Sequence, residues 1–263
     1  DDLGWQDVKS YDIDAPSPMD TPNIDALAKS GAMFTDAYAA SSVCSPTRAS
    51  ILSGKYPSRI GMSYIAGTNG PYGKAYKLNP PPVVGNIAPE DTTLAEALRS
   101  LGYATAHIGK WHLQGHGEKG TENFPQKHGF DINIAGQRAG QPGSYYFPYK
   151  SKEYPDTNVL DMEDGKPGDY LTDALTTKAI GFIKDHAEKP FFLNLWYYTV
   201  HTPIEPRKDK LEKYTAKAKS LGLDTSKPPA ISEHQSLSNA RQDNPAYAAM
   251  VESLDENVGR LMA

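Results

Sequence analysis

The feature that most constrains the fold of this chain is a helix that leads directly into an apolar strand. In "DYLTDALTTKAIGFIKDHAEK", Leu171, Leu175 and Ile180 recur close to the helical period, which predicts an amphipathic helix. The next residues, "PFFLNLWYY", are an apolar run typical of a buried strand. A helix followed by a buried strand predicts that helices pack on a sheet in layers.

A second helix–strand unit lies earlier in the chain. The segment "EDTTLAEALRSLGY" has a threonine N-cap and a helix-ending Gly102, and "YATAHIGKWHL" has the β-branched and aromatic residues of a strand that ends near Gly109. Alternation of this kind favours an α/β fold with a largely parallel central sheet flanked by helices. In such sheets functional groups gather at the carboxyl ends of the strands.

Further helices are predicted from their start and stop signals, and Thr21 is the expected N-cap of the first. They cover "TPNIDALAKSG", "SPTRASILSG" and "NPAYAAMVESLDENVGRLM". The segments 63–91 and 114–168 are instead rich in Gly, Pro and Tyr and show little periodicity. Because long loops in compact domains tend to be functional, these two are expected to surround a site.

Composition excludes several classes of function. The formal net charge of −5 at pH 7 offers no broad basic surface for a nucleic acid. No apolar run approaches the roughly 20 residues of a membrane helix, so no membrane span is expected. A single cysteine excludes an intramolecular disulfide and any zinc site built from several thiolates. The 263 residues are enough for one large globular domain with a sizeable core.

The single cysteine, Cys44, has polar neighbours and stands at the start of a predicted helix, where unpaired N–H groups and the helix dipole favour an anion. Arg48 lies on the same helical face and can direct its guanidinium at whatever binds there. An arbitrary lone cysteine is most often an inert, buried small hydrophobe, but a nucleophile beside an arginine outlines a site for an oxyanion ester. Tyrosine phosphatases separate Cys from Arg by more residues than the three found here, so the spacing excludes them.

The stretch "CSPTR", followed by "ASILSGKYPSRIG", resembles the sulfatase signature C-x-P-x-R with its downstream extension. The resemblance covers nearly the whole chain, and it implies a type I, formylglycine-dependent sulfatase with an alkaline-phosphatase-like layered α/β fold. The blocks that carry it, in sulfatase order, are "DDLGW", "TPNIDALAKSGAMFTDAYAASSVCSPTR", "TTLAEALRSLGYATAHIGKWHL", "KPFFLNLWYYTVHTP" and "YAAMVESLDENVGRLM".

The resemblance implies a modified nucleophile and a bound cation. In sulfatases of this type the motif cysteine is oxidised to formylglycine, so Cys44 is the expected precursor, and a formylglycine-generating enzyme would read Cys44, Pro46 and Arg48. A divalent cation, usually calcium, is implied beside it, with Asp1, Asp2 and the modified Cys44 among its ligands. Hard oxygen ligands suit Ca²⁺. An isolated pair of aspartates would otherwise be a solvated turn.

The resemblance also assigns the remaining catalytic residues. Lys110 matches a lysine that holds the sulfate, and His112 matches a histidine that contacts the formylglycine. Because alternate residues of an extended segment face the same way, both are expected to point at the site while Trp111 turns inward. His201, just past a predicted strand, matches a histidine on the leaving-group side, and Arg48 would hydrogen-bond the diol. Such a set would stabilise the negative charge of a sulfuryl-transfer transition state.

Residues 1–263 are interpreted as an incomplete N-terminal sulfatase catalytic domain. Sulfatases have a first strand before the aspartate pair, and an Asp-Asn metal pair and a lysine beyond the last predicted helix, and none of these is assigned here. Two alternatives stay open: a phosphonate or phosphodiester hydrolase of the same superfamily, and a non-catalytic glycan-binding relative.

The substrate implied is a sulfated small molecule or saccharide. Two tyrosine-rich loops, "GTNGPYGKAYKLNPPP" and "GSYYFPYKSKEYP", offer aromatic surface suited to stacking on sugar rings, although loop tyrosines are equally common as plain packing. Family members are often exported, so a periplasmic or extracellular location is expected by resemblance.

Overall fold

The computed structural model shows a parallel sheet with helices packed around it. It describes residues 2–11, 16–66, 68, 78, 82–115, 120, 122–226, 230–234 and 236–263. The strands in these residues are β1 (Ala104–Gly109), β2 (Ile132–Ile134), β3 (Phe191–Trp196), β4 (Ala230–Glu233) and β5 (Ser236–Asn239). The α-helices there are α1 (Pro22–Ser30), α2 (Cys44–Ser53), α3 (Pro57–Ile60), α4 (Leu94–Ser100), α5 (Leu171–Asp185), α6 (Lys208–Ser220) and α7 (Pro245–Met262).

The central sheet has the strand order β2–β1–β3, and both neighbouring pairs are parallel. Its last pairing between β1 and β3 joins Gly109 to Trp196. Because the carboxyl ends of parallel strands meet at one edge, the segments that follow Gly109 and Trp196 leave the sheet side by side. The parallel α/β arrangement expected from the sequence is therefore confirmed.

Two hydrophobic clusters hold the helices against this sheet. The larger one packs α5 and α7 against the end of β3, with Leu175, Tyr198 and Met250 fully buried. The smaller one joins α2 to the chain after β1 through Leu52 and Trp111. Together the clusters place the start of α2 over the carboxyl edge of the sheet.

The helices predicted by their caps and both predicted strands are present, but α3, α6, β2 and the antiparallel hairpin of β4 and β5 were not expected. Helix α6 buries only Lys210, Tyr214 and Ala218, and the hairpin is almost wholly exposed. Neither therefore has the regularly spaced apolar residues from which a helix or strand is predicted. The interval 114–168, expected as a loop, contains β2 and short 3₁₀ turns. None of the described helices is long and apolar enough to span a membrane.

Candidate active site

The first turn of α2 is fastened to the chain that follows β1. Cys44 is the first residue of α2, and its Sγ lies 3.2 Å from Nδ1 of His112. The Ser45 hydroxyl donates a hydrogen bond to the carbonyl oxygen of His112 at 2.9 Å. Cys44 thus stands at a helix start, as predicted, and these contacts place its thiol at the carboxyl edge of the sheet.

Glycine at the end of β1 allows the chain to turn into the site. Gly109 has φ +106, and a Cβ there would lie 2.1 Å from the carbonyl oxygen of Trp196. The next residue, Lys110, donates its backbone N–H to that oxygen at 2.8 Å, and its own carbonyl accepts a hydrogen bond from Arg48 Nη1 at 2.7 Å. The Arg48 guanidinium lies over the Trp196 ring, 4.8 Å from its centroid. Sequence reasoning missed this role of Trp196, because its place in an apolar strand signals only packing.

Two buried basic residues, Lys110 and Arg48, both interact electrostatically with Cys44 and Asp2. Burial lowers the pKa of Lys110 to about 7, with the Arg48 charge acting in the same direction and the charges of Cys44 and Asp2 opposing it. Burial also lowers the pKa of Arg48 to about 10. Because burial disfavours the charged form of both residues, and the Arg48 charge further disfavours that of Lys110, a bound anion would stabilise both charges. The pair therefore has the electrostatic character of an anion-binding site.

His112 reaches the site through a left-handed turn rather than through strand alternation. Its φ is +58, its N–H donates to the carbonyl of Gln137 at 3.0 Å, and a Cβ on Gly140 would come within 2.3 Å of its ring. Trp111 is fully buried, as expected. The extended segment that was expected to carry both Lys110 and His112 ends at Gly109, so strand alternation does not place them.

His201 follows β3 and faces Asp2. Its Nδ1 lies 3.0 Å from the carbonyl oxygen of Thr202, which assigns the proton to Nδ1 and leaves Nε2 toward Asp2. The distance from Nε2 to Asp2 Oδ2 is 3.6 Å, too long for a direct hydrogen bond. Burial, and then the charge of Lys110, lowers the pKa of His201. The Tyr145 hydroxyl donates to the His201 carbonyl at 2.9 Å and holds this loop in place.

A cavity of about 570 Å³ opens beside these groups, and Asp2, Cys44 and Arg48 form part of its wall. Asp1, the other expected metal ligand, lies outside the described residues. The carboxylate of Asp2 is the ligand type that a hard cation such as Ca²⁺ prefers. Within the described residues, however, no group of three or more His, Cys, Asp or Glu side chains is placed to hold a metal. The residues present thus fit a calcium ion by donor chemistry and supply only part of its coordination.

Two of the four tyrosines in the second tyrosine-rich loop do not offer the aromatic surface that its sequence suggested. Tyr145 and Tyr149 are fully buried in the larger hydrophobic cluster, and Tyr145 stacks on Tyr170. Tyr154 is exposed. Most of the first loop lies outside the described residues. Packing, the plainer of the two interpretations, therefore explains Tyr145 and Tyr149.

Comparison with known proteins shows the family of this chain. The family model described as "Sulfatase" matches residues 1–263. The chain belongs to the sulfatase family. It is 34% identical over 221 residues to N-acetylgalactosamine-6-sulfatase of Sus scrofa, covering 78% of this chain and 39% of that protein. It is 31% identical over 312 residues to a sulfatase of Formosa agariphila, covering 100% of this chain and 51% of that one.

Among solved structures, this sulfatase-family chain is similar to Ps i-CgsB in complex with k-i-k-neocarrahexaose. The TM-score is 0.66 at 28% identity, and the match covers 100% of this chain and 52% of that one. The fold is accordingly the alkaline-phosphatase-like layered fold of sulfatases. The chain spans about two fifths to one half of the length of these relatives.

Proposed function

We propose that the whole protein hydrolyses sulfate esters and that residues 1–263 form the N-terminal part of its catalytic domain. The observation that carries the proposal is the position of Cys44. It stands at a helix start, 3.2 Å from a ring nitrogen of His112, in a site that also holds the buried cations Arg48 and Lys110. Membership of the sulfatase family supports the same reaction.

The nucleophile would be formylglycine made from Cys44 by a formylglycine-generating enzyme. Its hydrated aldehyde would supply one hydroxyl that attacks sulfur and displaces the alcohol, and a second hydroxyl whose deprotonation would later expel sulfate by C–O cleavage and regenerate the aldehyde. His112 is placed to exchange a proton with the group at this position, since its Nδ1 lies within reach of the Cys44 side chain. Asp2 would contribute a carboxylate oxygen to a Ca²⁺ ion, which favours ionisation of the nucleophile.

Lys110 and Arg48 would hold the sulfate of the substrate. Both are buried, so their charges are weakly screened and act strongly on an anion beside them. The pKa of Lys110 is lowered to about 7 without an anion, and a bound sulfate would favour its charged form. These two residues would therefore stabilise the charge that develops on the sulfuryl oxygens.

His201 would donate a proton to the departing alcohol from Nε2 only when its ring carries a proton on both nitrogens. Burial and the charge of Lys110 disfavour that form by lowering the pKa of His201, and the charge of Asp2 favours it. Its Nδ1 proton is held at the Thr202 carbonyl, which leaves Nε2 as the nitrogen directed toward Asp2. A general acid needs a fixed ring orientation, because it can transfer a proton only to an atom within hydrogen-bonding distance, whatever its pKa.

We further propose a sulfated saccharide as substrate and an exported enzyme. The saccharide is supported by two relatives, one named for N-acetylgalactosamine and the other crystallised with a neocarrahexaose. Tyr145 and Tyr149 would not stack on this saccharide, since both are buried.

Peptide mass spectrometry on the full-length protein from its own host tests the nucleophile. Trypsin releases Ser30–Arg48, and the expected peptide has an aldehyde oxygen in place of the sulfur of Cys44. A Cys44→Ser variant should lose turnover, because serine can attack sulfur but has no second hydroxyl to release the ester. An unmodified thiol in an active enzyme would contradict the formylglycine step.

Rates on paired esters test the reaction class. Sulfate and phosphonate esters with the same leaving alcohol would be compared at equal concentration. We expect the larger kcat/KM for the sulfate ester. The reverse preference would favour a phosphonate hydrolase, and no turnover of either ester by the modified protein would favour a glycan-binding relative.

A further inference from the structure

The hydroxyl of Tyr247 joins the first turn of α7 to the segment that carries Asp2. Its Oη lies 3.0 Å from the carbonyl oxygen of Asp2 and 2.8 Å from Oδ2 of Asp7. Both oxygens are acceptors, so one phenolic proton is shared between them. The two ends of the segment 2–7 are therefore tied to a single side chain.

The segment held in this way has a constrained backbone. Asp2 has φ +64, a left-handed conformation that costs energy for any residue with a Cβ. Gly4 donates its N–H to Asp7 Oδ2 at 2.9 Å, and Asp7 donates its N–H to the Gly4 carbonyl at 3.0 Å. A Cβ on Gly4 would lie only 2.8 Å from that carboxylate oxygen. This closed turn, together with Tyr247, determines where the Asp2 side chain leaves the backbone.

Tyr247 itself is rigidly placed. The Asn244 side chain caps α7 by accepting hydrogen bonds from the backbone N–H groups of Ala246 and Tyr247, at 2.9 and 3.2 Å. Directly after Tyr247, residues 248–251 are fully buried in the larger hydrophobic cluster. A side chain on such a helix has a fixed position from which it can orient the segment that it contacts.

We propose that Tyr247 is a positioning residue, whose hydroxyl holds the backbone of Asp2 so that its carboxylate faces the cavity and binds the cation. This inference rests on the proposed function in one respect, the calcium ion at Asp2. Tyr247 would touch neither the cation nor the substrate. Its effect would therefore appear first in cation affinity and only through it in turnover.

The experiment compares Tyr247→Phe with Tyr214→Phe in the full-length protein. Both changes remove one phenolic hydroxyl and keep the ring. Tyr214 lies fully buried on α6, where its hydroxyl is 3.4 Å from Asp20 and does not contact the segment 2–7. Calorimetric titration with calcium chloride gives the Kd, and thermal unfolding in a chelator gives the stability without the cation.

We expect the Kd for calcium to rise about tenfold in Tyr247→Phe, as is typical when a group that orients a metal ligand is removed. The Kd of Tyr214→Phe should stay at the wild-type value, and kcat of Tyr247→Phe at saturating calcium should return to near that of the wild type. An equal Kd in wild type and Tyr247→Phe, or equal rises in both variants, would overturn the proposal. A wild-type protein that is active without binding calcium would contradict the proposed calcium ion at Asp2, and with it the role of Tyr247, but not the proposal of sulfate-ester hydrolysis.

Discussion

At the scale of single residues, His107 lies beneath the candidate site, and both of its ring nitrogens have hydrogen-bond partners. It is fully buried and makes edge contacts with Trp111 and Trp196. Its Nδ1 lies 3.0 Å from Asn194 Nδ2, which can only donate, and its Nε2 lies 3.1 Å from the Gly109 carbonyl, which can only accept. These partners assign the neutral ring with its proton on Nε2. A second proton would break the bond from Asn194 and bury a charge.

Protonation of His107 should therefore destabilise the fold as pH falls. Burial, with a smaller effect of the Arg48 charge, lowers its pKa to about 3, below the value of 6.5 for the unfolded chain. The unfolded state then binds more protons, so this stability is complete above pH 6.5 and is lost on the way down to about 3. In His107→Gln, the amide can still donate to Gly109 and accept from Asn194.

Chemical unfolding of wild type and His107→Gln at pH 7 and pH 5 measures the effect. We expect the wild type to lose roughly 2 kcal/mol more free energy of unfolding than the variant between these two values. Carboxylates that titrate in both proteins contribute equally to the two pH-dependent losses, so their contribution drops out when one loss is subtracted from the other. The same loss in both proteins would show that His107 is not the titrating group.

At the scale of elements, the exit of β1 depends on Gly109. Alanine there would meet the Trp196 carbonyl at 2.1 Å and would also carry the strain of φ +106. Gly102, which ends the turn after α4, is the matched control, because it has φ +86 and a Cβ added there would have nothing within 4 Å. Both variants carry the backbone strain of a positive φ, so the difference between their free energies of unfolding measures the cost of the steric clash alone.

We expect Gly102→Ala to lower the free energy of unfolding by about 1 kcal/mol and Gly109→Ala to lower it by about 3 kcal/mol or more. Because Lys110 directly follows Gly109, any folded Gly109→Ala protein should also lose sulfate-ester turnover. Denaturant unfolding and activity at saturating substrate measure the two effects. Equal destabilisation by both alanines would show that the sheet adjusts to the added methyl group.

The sequence predicted those elements whose signals are local. Caps and periodicity suffice for α4 and α5, and the apolar run of β3 identifies a buried strand wherever it packs. The left-handed backbone of His112 and the ring of Trp196 beneath Arg48 have no such signal. The first depends on the chain after β2, where Gln137 accepts the His112 N–H, and the second depends on β1 and β3 lying side by side. The motif around Cys44 predicts where the candidate site lies, whereas the contacts that hold its residues together depend on the tertiary structure.

At the scale of the whole molecule, α7 ties distant parts of the chain together. Thr21 stands at the N-cap position of α1 as expected, yet its side chain makes no capping bond. The cap comes instead from Asp255 on α7, which accepts hydrogen bonds from the backbone N–H groups of Asn23 and Ile24 at 3.0 and 2.8 Å, and from the Asn23 side chain at 2.7 Å. Asp255 is almost fully buried. A helix near one end of the sequence is thus capped by a carboxylate near the other.

Removing this carboxylate should cost more than removing an ordinary cap. Asp255→Ala leaves the N–H groups of Asn23 and Ile24 without their acceptor in a partly buried place. A charged acceptor at a helix start also interacts with the helix dipole. We expect the free energy of unfolding to fall by about 2–4 kcal/mol, measured by denaturant unfolding. Asp255→Asn, which keeps one acceptor oxygen, should lose less, and Glu212→Ala on the exposed face of α6 should change stability by no more than about 0.5 kcal/mol. If Asp255→Ala matched Glu212→Ala, the long-range cap would contribute nothing, and α1 would be held by packing against α7 alone.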